Sequence, residues 1–388
     1  MSIKLGEICR FQSGGTPAKG RAEYFNGIIP WITTTALNGG MIDESNAVDW
    51  ITDKAITESS AKIVPAYSIM VGTRVGVGKV AVNVVDMSTN QDIISLIDID
   101  ESVWNKDFLC KCIQGKSSFL NTQARGATIK GIKIEVLADL EIPDISLEKQ
   151  RHISHLINSI SQVISVRRHQ LAELDVLVKA RFVEMFGNPV LNDKGWEQRL
   201  LGEITTKIGS GATPKGGKEA YQEEGITLIR SMNVHNGQFE YKDLAHISNE
   251  QASKLDNVTI EDRDVLLNIT GASVARSCVV PREVLPARVN QHVCIIRCRE
   301  CIIPEFLNIL LIDDNYQDLL WSIAGSGATR EAITKQQVEN LLIILPPMEL
   351  QKEFMQFCKQ VTKSKIAIQK ALDEAQILFD SLMKEYFG

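Results

Sequence analysis

The second half of the chain restates the first at an offset of about 200 residues. Leu5-Gly6-Glu7-Ile8 returns as Leu201-Gly202-Glu203-Ile204, and Ser13-Gly14-Gly15-Thr16-Pro17 as Ser210-Gly211-Ala212-Thr213-Pro214. Asn90-Gln91 returns as Asn290-Gln291, and Gly126-Ala127-Thr128 as Gly327-Ala328-Thr329. Ile142-Pro143 with Leu147 matches Leu345-Pro346 with Leu350, and Phe186-Gly187 matches Phe387-Gly388. A period this long is a domain duplication, since solenoid repeats are several times shorter. A chain of 388 residues is also too long for one ordinary core.

Within each repeat the first part reads as mixed strand and loop. Runs such as Ile28 to Thr35, Val80 to Val85 and Ile93 to Ile97 are rich in β-branched residues and punctuated by Gly, Asn and Pro, with a helical patch from Lys106 to Leu120. After Pro143, and again after Pro346-Pro347, the pattern changes to helical spacing for about 40 residues without Pro or Gly. The first stripe runs Ile153, Ile157, Ile160, Ile164, Leu171, Leu174, Val178, Phe182, Met185, interrupted at Arg167. The second runs Phe354, Phe357, Val361, Ile368, Leu372, Ala375, Phe379, Leu382, Tyr386, interrupted at Ser364. Each is a coiled-coil seam. A helix of this length spans about 60 Å, more than a 150-residue domain is wide, so the two helices are expected to pack on each other.

These patterns predict an α/β (α+β) chain of two similar globular domains and two long antiparallel helices, an internal duplication with pseudo-two-fold symmetry. The expected divisions are a first domain at 1–146, a first helix at 147–187, a linker at 188–199, a second domain at 200–349 and a second helix at 350–388. Arg167 and Ser364 are expected to meet as a polar layer that fixes the register of the pair. Two spaced heads related in this way suit a duplex target whose halves are separated by unread bases.

Charge is distributed unevenly. Residues 1–146 carry 14 basic and 17 acidic side chains, and 200–349 carry 14 and 20, whereas both helices are slightly basic. Any surface for nucleic acid is therefore a local basic stripe on an acidic body, which weakens binding by the chain alone because phosphate neutralisation supplies most sequence-independent affinity. No signal-length apolar stretch follows Met1 and no segment is long enough to span a bilayer, so a cytoplasmic protein without membrane contact is expected. Eight cysteines are then expected to be reduced thiols. Cys294, Cys298 and Cys301, with His292 upstream, crowd together, but the matching stretch Ile93 to Glu101 has no cysteine; buried apolar packing is preferred to zinc.

Taken in order and given twice, these motifs resemble the specificity subunit of type I restriction-modification systems. The likeness rests on the Leu-Gly-Glu-Ile start, Gly14-Gly15-Thr16-Pro17, Ile29-Pro30-Trp31, the Asn-Gln pairs, Leu147-Glu148-Lys149-Gln150, and Phe182-Val183-Glu184-Met185-Phe186-Gly187-Asn188-Pro189. The resemblance implies two target-recognition domains, each reading one half of a bipartite double-stranded DNA target. It implies spacer helices that set the distance and dock two methyltransferase subunits, which use S-adenosylmethionine to methylate adenine; ATP and Mg belong to a restriction subunit where one joins. No cofactor or metal is expected in this chain. The second repeat departs modestly, with Thr227-Leu228 where Pro30-Trp31 stand and Gln351 where Glu148 stands, so the second recognition loop is left unassigned.

Two other classes stay open: a DNA reader with its own nuclease, and a bivalent scaffold for a ligand other than DNA. A Mg-dependent nuclease needs clustered carboxylates beside a Lys. Glu141, Asp144 and Glu148 sit at a helix start, where they complement its dipole, and the E-x-K at Glu240-Tyr241-Lys242 has no Pro-Asp nearby. Asn188-Pro189-Val190 and Leu345-Pro346-Pro347-Met348 both fail the Asn/Asp-Pro-Pro-aromatic pattern of an adenine methyltransferase. Gly78-Lys79 and Gly115-Lys116-Ser117 lack the earlier glycine of a phosphate loop and read as turns. The six histidines share no metal spacing between the halves.

Base edges and phosphates are met by Arg, Lys, Asn, Gln, Ser and Thr on loops. The candidates in the first domain are Thr33, Thr34, Arg74, Lys79, Asn90, Gln91, Arg125 and Lys130. Those in the second are Arg230, Ser231, Asn233, Arg276, Asn290, Gln291 and Arg330. Arg125 and Arg330, beside the repeated Gly-Ala-Thr, are the preferred candidates for backbone grip.

Overall fold

The computed structural model describes residues 1–126, 131–213, 217, 221–325 and 331–388. They form two compact units, one of Met1–His169 with Gln369–Gly388 and one of Gln170–Ile368. The division passes through both long helices, so neither unit is one continuous stretch of a sequence repeat.

In the first unit the strands are β1 (Ser2–Lys4), β2 (Arg10–Ser13), β3 (Phe25–Ile32), β4 (Met41–Ile42), β5 (Asp49–Ile51), β6 (Ile63–Val64), β7 (Ile69–Gly72), β8 (Val80–Asn83), β9 (Met87–Thr89), β10 (Ile93–Ile97) and β11 (Glu141–Pro143). A sheet of order β2-β10-β7-β8-β4 is joined by a second of order β5-β3-β9-β6, and β1 pairs with β11. The short helices are α1 (Asp53–Glu58), α2 (Lys106–Gly115), α3 (Ser117–Gln123) and α4 (Ile134–Ala138). The helical patch expected from Lys106 to Leu120 is thus two helices, broken at Lys116 just after Gly115. The first long helix, α5 (Leu147–Phe186), follows β11 directly.

The second unit repeats this plan with β12 (Gln198–Leu200), β13 (Thr205–Ser210), β14 (Ile226–Ile229), β15 (Val234–His235), β16 (Gln238–Phe239), β17 (Ala245–Ile247), β18 (Val265–Asn268), β19 (Ser277–Val279), β20 (Ala287–Val289), β21 (Val293–Cys298) and β22 (Leu342–Ile344). Its sheets run β13-β21-β18-β19 and β17-β14-β20, with β12 paired to β22. Both units share one parallel pair, β3 with β9 through Ile32 and Thr89 and β14 with β20 through Ile229 and Val289, and the first unit has a second in β4 with β8. The helices are α6 (Asn249–Ser253), α7 (Pro304–Leu311), α8 (Asp314–Gly325), α9 (Lys335–Glu339) and the second long helix α10 (Met348–Phe387). Helices packed on mixed sheets in both repeats bear out the α+β duplication.

A buried glutamine fixes where each long helix starts. Gln150 Oε1 accepts the Asn105 N–H at 2.8 Å, while its amide donates to Val103 O at 3.1 Å and Ile145 O at 2.9 Å. Gln351 does the same with Ile303 N–H at 3.0 Å, Cys301 O at 3.2 Å and Pro346 O at 2.9 Å. Both side chains are fully buried. The shared hydrogen bonds make Gln150 and Gln351 equivalent, which pairs Leu147 with Met348 and Glu148 with Glu349. The expected matches of Leu147 to Leu350 and of Glu148 to Gln351 are therefore corrected, because Pro346 and Pro347 fall in the turn after β22 whereas Pro143 is the last residue of β11.

At its other end each helix completes the opposite repeat's domain. In the first unit Phe387 enters the core formed by Phe108, Ile153 and Ile157, its ring 5.5 Å from that of Phe108. In the second unit Phe186 lies 4.9 Å from Phe306 and 5.4 Å from Phe354. Gly187 ends α5 at φ +75, and a Cβ there would lie 2.0 Å from Asp193 Oδ1, so only glycine makes this stop.

Within each unit the two helix segments run antiparallel. Arg168 donates to Gln376 at 3.3 Å in the first; in the second Asp175 pairs with Lys365, and Arg181 lies 3.1 Å from Glu353. Ile153, Ile157, Ile160 and Ile164 are buried and Arg167 is half-buried, as the seam requires. Ser364 is exposed, its hydroxyl donating to Gln360 O at 3.3 Å. The half-buried polar position of the second seam is Lys365, the next residue along, and not Ser364 as expected.

Because Phe387 belongs to the first unit's core, Phe387→Ala should cost about 3–5 kcal/mol there. Amide exchange should rise across residues 104–113 and stay unchanged across 302–311; the reverse pattern would disprove the exchange of helix ends.

Candidate nucleic-acid interface

The loops at one end of the paired sheets come together around the repeated Asn-Gln turn. In the first unit the Gly14 N–H donates to Ile93 O at 3.1 Å and the Gly15 N–H to Thr89 O at 2.8 Å. A Cβ on Gly14 would lie 2.1 Å from Asn90 O, and one on Gly211 would lie 1.8 Å from Val289 O. The repeated glycine is there to let two backbones touch.

Asn90 and Asn290 are buried and serve the frame. Their N–H groups donate to the last carbonyls of β3 and β14, Ile32 O at 3.0 Å and Ile229 O at 3.1 Å. Their Oδ1 atoms accept from the backbone two residues on, Asp92 N at 3.3 Å and His292 N at 3.0 Å, a side-chain turn that fixes the loop. Gln91 and Gln291 stand exposed above them. Thr16 donates its hydroxyl to Gln91, and Thr213 donates its N–H to Gln291 at 3.2 Å.

The hairpin loops after β7 and β18 are equally matched. Gly72 N–H donates to Lys79 O at 2.8 Å and Asn268 N–H to Arg276 O at 2.8 Å, which makes the two basic residues equivalent. Lys79 is exposed and Arg276 half-buried, 3.5 Å from His235 Nδ1. Arg74 is exposed and lies 3.5 Å from Asp92. After β3 come half-buried Thr33, bonded to Thr35 at 2.9 Å, and buried Thr34. After β14 the same places hold Arg230 and Ser231, both half-buried, which assigns the second loop that sequence matching left open. Arg230 lies over the Tyr221 ring at 5.4 Å and donates to Asp243 O.

Four candidates prove to be framework by their burial. Asn90, Asn290 and Thr34 are below a tenth exposed, and Asn233 is fully enclosed, accepting from Arg230 N at 3.1 Å and donating to Glu240 O at 3.0 Å. Groups so enclosed hold loops in place and cannot meet a base edge. Arg125 is exposed and its backbone bonds Gly131 in both directions, at 2.9 and 3.0 Å. Lys130 and Arg330 lie outside the described residues. Sequence reading missed Asp92 and Thr270, and took His292 only as a metal candidate. The signal for Asp92 and His292 was their fixed place after the repeated Asn-Gln.

Burial pushes the Cys294 and Cys298 thiols up to about 12, and Cys301 is exposed beyond the end of β21. Among the described residues no group of three or more His, Cys, Asp or Glu side chains is placed to hold a metal. Glu141, Asp144 and Glu148 are exposed, and Tyr241 of the E-x-K segment donates to Glu283 at 2.6 Å. Among those residues no helix is long and apolar enough to cross a membrane.

A duplicated loop frame carried on paired long helices defines the class, and comparison with known proteins agrees. The model of the type I restriction modification DNA specificity domain matches residues 1–175 and again 193–377, so the chain belongs to that family. It is 26% identical over 406 residues to the specificity subunit of the type I restriction enzyme MjaIX of Methanocaldococcus jannaschii, covering 99% of this chain and 92% of that one. To the EcoBI specificity subunit of Escherichia coli it is 21% identical over 382 residues, 91% and 72% of the two chains. Two solved structures share the fold. One is the S subunit of a type I restriction-modification system from M. genitalium (TM-score 0.56, 15% identity, 100% and 96% coverage). The other comes from work on complex assembly and conformational transition of the type I system (TM-score 0.65, 19% identity, 100% and 97%).

The framework and surface roles separate experimentally. Asn290→Ala should lower stability by about 1–3 kcal/mol through lost hydrogen bonds to buried backbone, whereas Gln291→Ala should stay within about 0.5 kcal/mol. Urea melts of the two variants decide; equal midpoints would refute the assignment.

Proposed function

We propose that this chain is the DNA-reading subunit of a type I restriction-modification complex and performs no chemistry itself. Each domain presents its strand-end loops to one half of a split duplex target. The helices set the distance between the halves and dock two methyltransferase subunits, which bring S-adenosylmethionine; ATP and Mg act in a restriction subunit where one joins. The observation that carries this reading is one loop frame built twice with different side chains at equivalent places, Thr33 against Arg230 and Lys79 against Arg276. A single uniform ligand would need no such difference; a target with two unlike halves does.

Partner docking is supported by apolar side chains left on the outer faces of both helices. Val163, Val166, Ile377 and Leu378 of the first unit, and Val176, Leu177, Val183 and Ile366 of the second, are each close to or above half exposed. Such rows on long helices mark contact surfaces for other proteins. The acidic excess of both domains fits a reader whose phosphate grip is completed by the partner.

Two experiments test the proposal. Affinity for target duplex at fixed salt should be weak for the chain alone and at least tenfold tighter with the methyltransferase; equal tight binding in both cases would refute it. Inserting four residues at the middle of each long helix moves a domain by about 6 Å and turns it by about 40°. Methylation should then shift to sites with a longer unread gap and unchanged half-sites; full activity at the original gap would show that the helices are not the ruler.

A further inference from the structure

Beside the Asn-Gln turn the two units share one slot with different contents. The frame around it is the same: Thr73 N–H donates to Asp92 O at 2.8 Å and Ile269 N–H to His292 O at 2.9 Å. On the other side Ile132 N–H donates to Thr73 O, and Ile333 N–H to Ile269 O, both at 2.8 Å. These bonds make Arg74 equivalent to Thr270, Asp92 to His292, and Gly131 to Ala332. In the first unit the slot is filled. Arg74 Nη1 lies 3.5 Å from Asp92 Oδ1, while Asp92 Oδ2 accepts from Asn90 at 3.1 Å. The alkyl part of Arg74 runs over Gly131, where a Cβ would come within 2.9 Å of Arg74 Cγ. In the second unit all three positions change together. Thr270 is short and bonds His292 Nδ1, Ala332 takes the place of glycine, and an open cleft of about 1020 Å³ remains, lined by Ser231, Thr270, Ser273, Arg276 and His292.

We infer that this slot selects one base in each half-site, a guanine in the half met by the first unit and a base edge carrying a hydrogen-bond donor in the half met by the second. The inference rests on the DNA-reading function proposed above. A guanidinium steered by a carboxylate offers a fork of donors only, and the base edge that offers two adjacent acceptors to such a fork is guanine O6 and N7. Asp92, already held by Asn90, aims the Arg74 fork without cancelling it, since the arginine side chain remains half exposed. Hydroxyl and imidazole can accept as well as donate, so the second slot takes an adenine N6 or cytosine N4 edge that Arg74 would reject. The Gly131–Arg74 contact explains why the three positions differ as a set: an arginine at 270 would collide with Ala332.

The test exchanges the sets in the complete complex with its methyltransferase and reads the methylated motif by sequencing. Arg74→Thr with Asp92→His and Gly131→Ala should remove the guanine preference, by about tenfold or more, at one position of one half-site. Thr270→Arg with His292→Asp and Ala332→Gly should create a guanine preference in the other half, spacing unchanged in both. Unaltered motifs, or changes in both halves from one exchange, would overturn the inference. So would loss of all methylation by a variant that melts like the parent, because the slot would then grip without choosing. Should a triple variant melt early, Arg74→Gln, which keeps Asp92 and Gly131, should admit adenine at that same position, and an unchanged motif there overturns the inference equally. Deleting the chain is the separate control: methylation that persists without it would remove the DNA-reading function itself.

Discussion

Everything in each unit is referred to one buried amide. Gln150 and Gln351 each make three hydrogen bonds with backbone from the domain and from the turn before the helix, in full burial. A buried amide so satisfied has one orientation, because any rotation leaves several polar groups unpaired at about 1–3 kcal/mol each. The direction in which a long helix leaves its domain is thereby set by side-chain chemistry and not by a flexible hinge. The distance-setting role proposed for the helices needs such a joint, since a ruler is only as accurate as its attachment.

The loop cluster uses the same division of labour at smaller scale. Buried amides of Asn90, Asn233 and Asn290 hold backbone, and Gln91 and Gln291, which follow two of them, face outward. Framework and exposed side chain are thus adjacent in sequence. Side chains such as Gln91, Arg74 and Lys79 can then vary without disturbing the strands beneath.

Much of this was legible in the amino-acid order. The duplication, the mixed domains and the two antiparallel helices followed from repeated motifs and from the switch in hydrophobic period after Pro143 and Pro346-Pro347. The finer errors have physical causes. Prolines drew the helix matching out of step, because they mark turns loosely while Gln150 and Gln351 mark them by hydrogen bonding. The seam of α10 was followed through Ser364, although a helix drifts against a strict spacing and brings Lys365 inward instead. Asn90, Asn233 and Asn290 were taken as readers because polarity alone cannot say whether an amide faces water or unpaired backbone. Arg74, Asp92 and Gly131 form a set only through contacts between distant loops, which no local pattern records.

The exchange of helix ends has a consequence for how the protein is made. Chain order places Phe387 about 230 residues after Ile157, the last earlier residue of the core that it completes. At a synthesis rate of roughly 5–20 residues per second, the first domain waits roughly 12–46 s on the ribosome with the Phe108 side of its core open to solvent. The second domain, by contrast, finds Phe186 already emerged. The nascent protein therefore passes through a stage in which its older half is the less finished one, and the cell must protect that apolar opening until the last turn of helix arrives to close it.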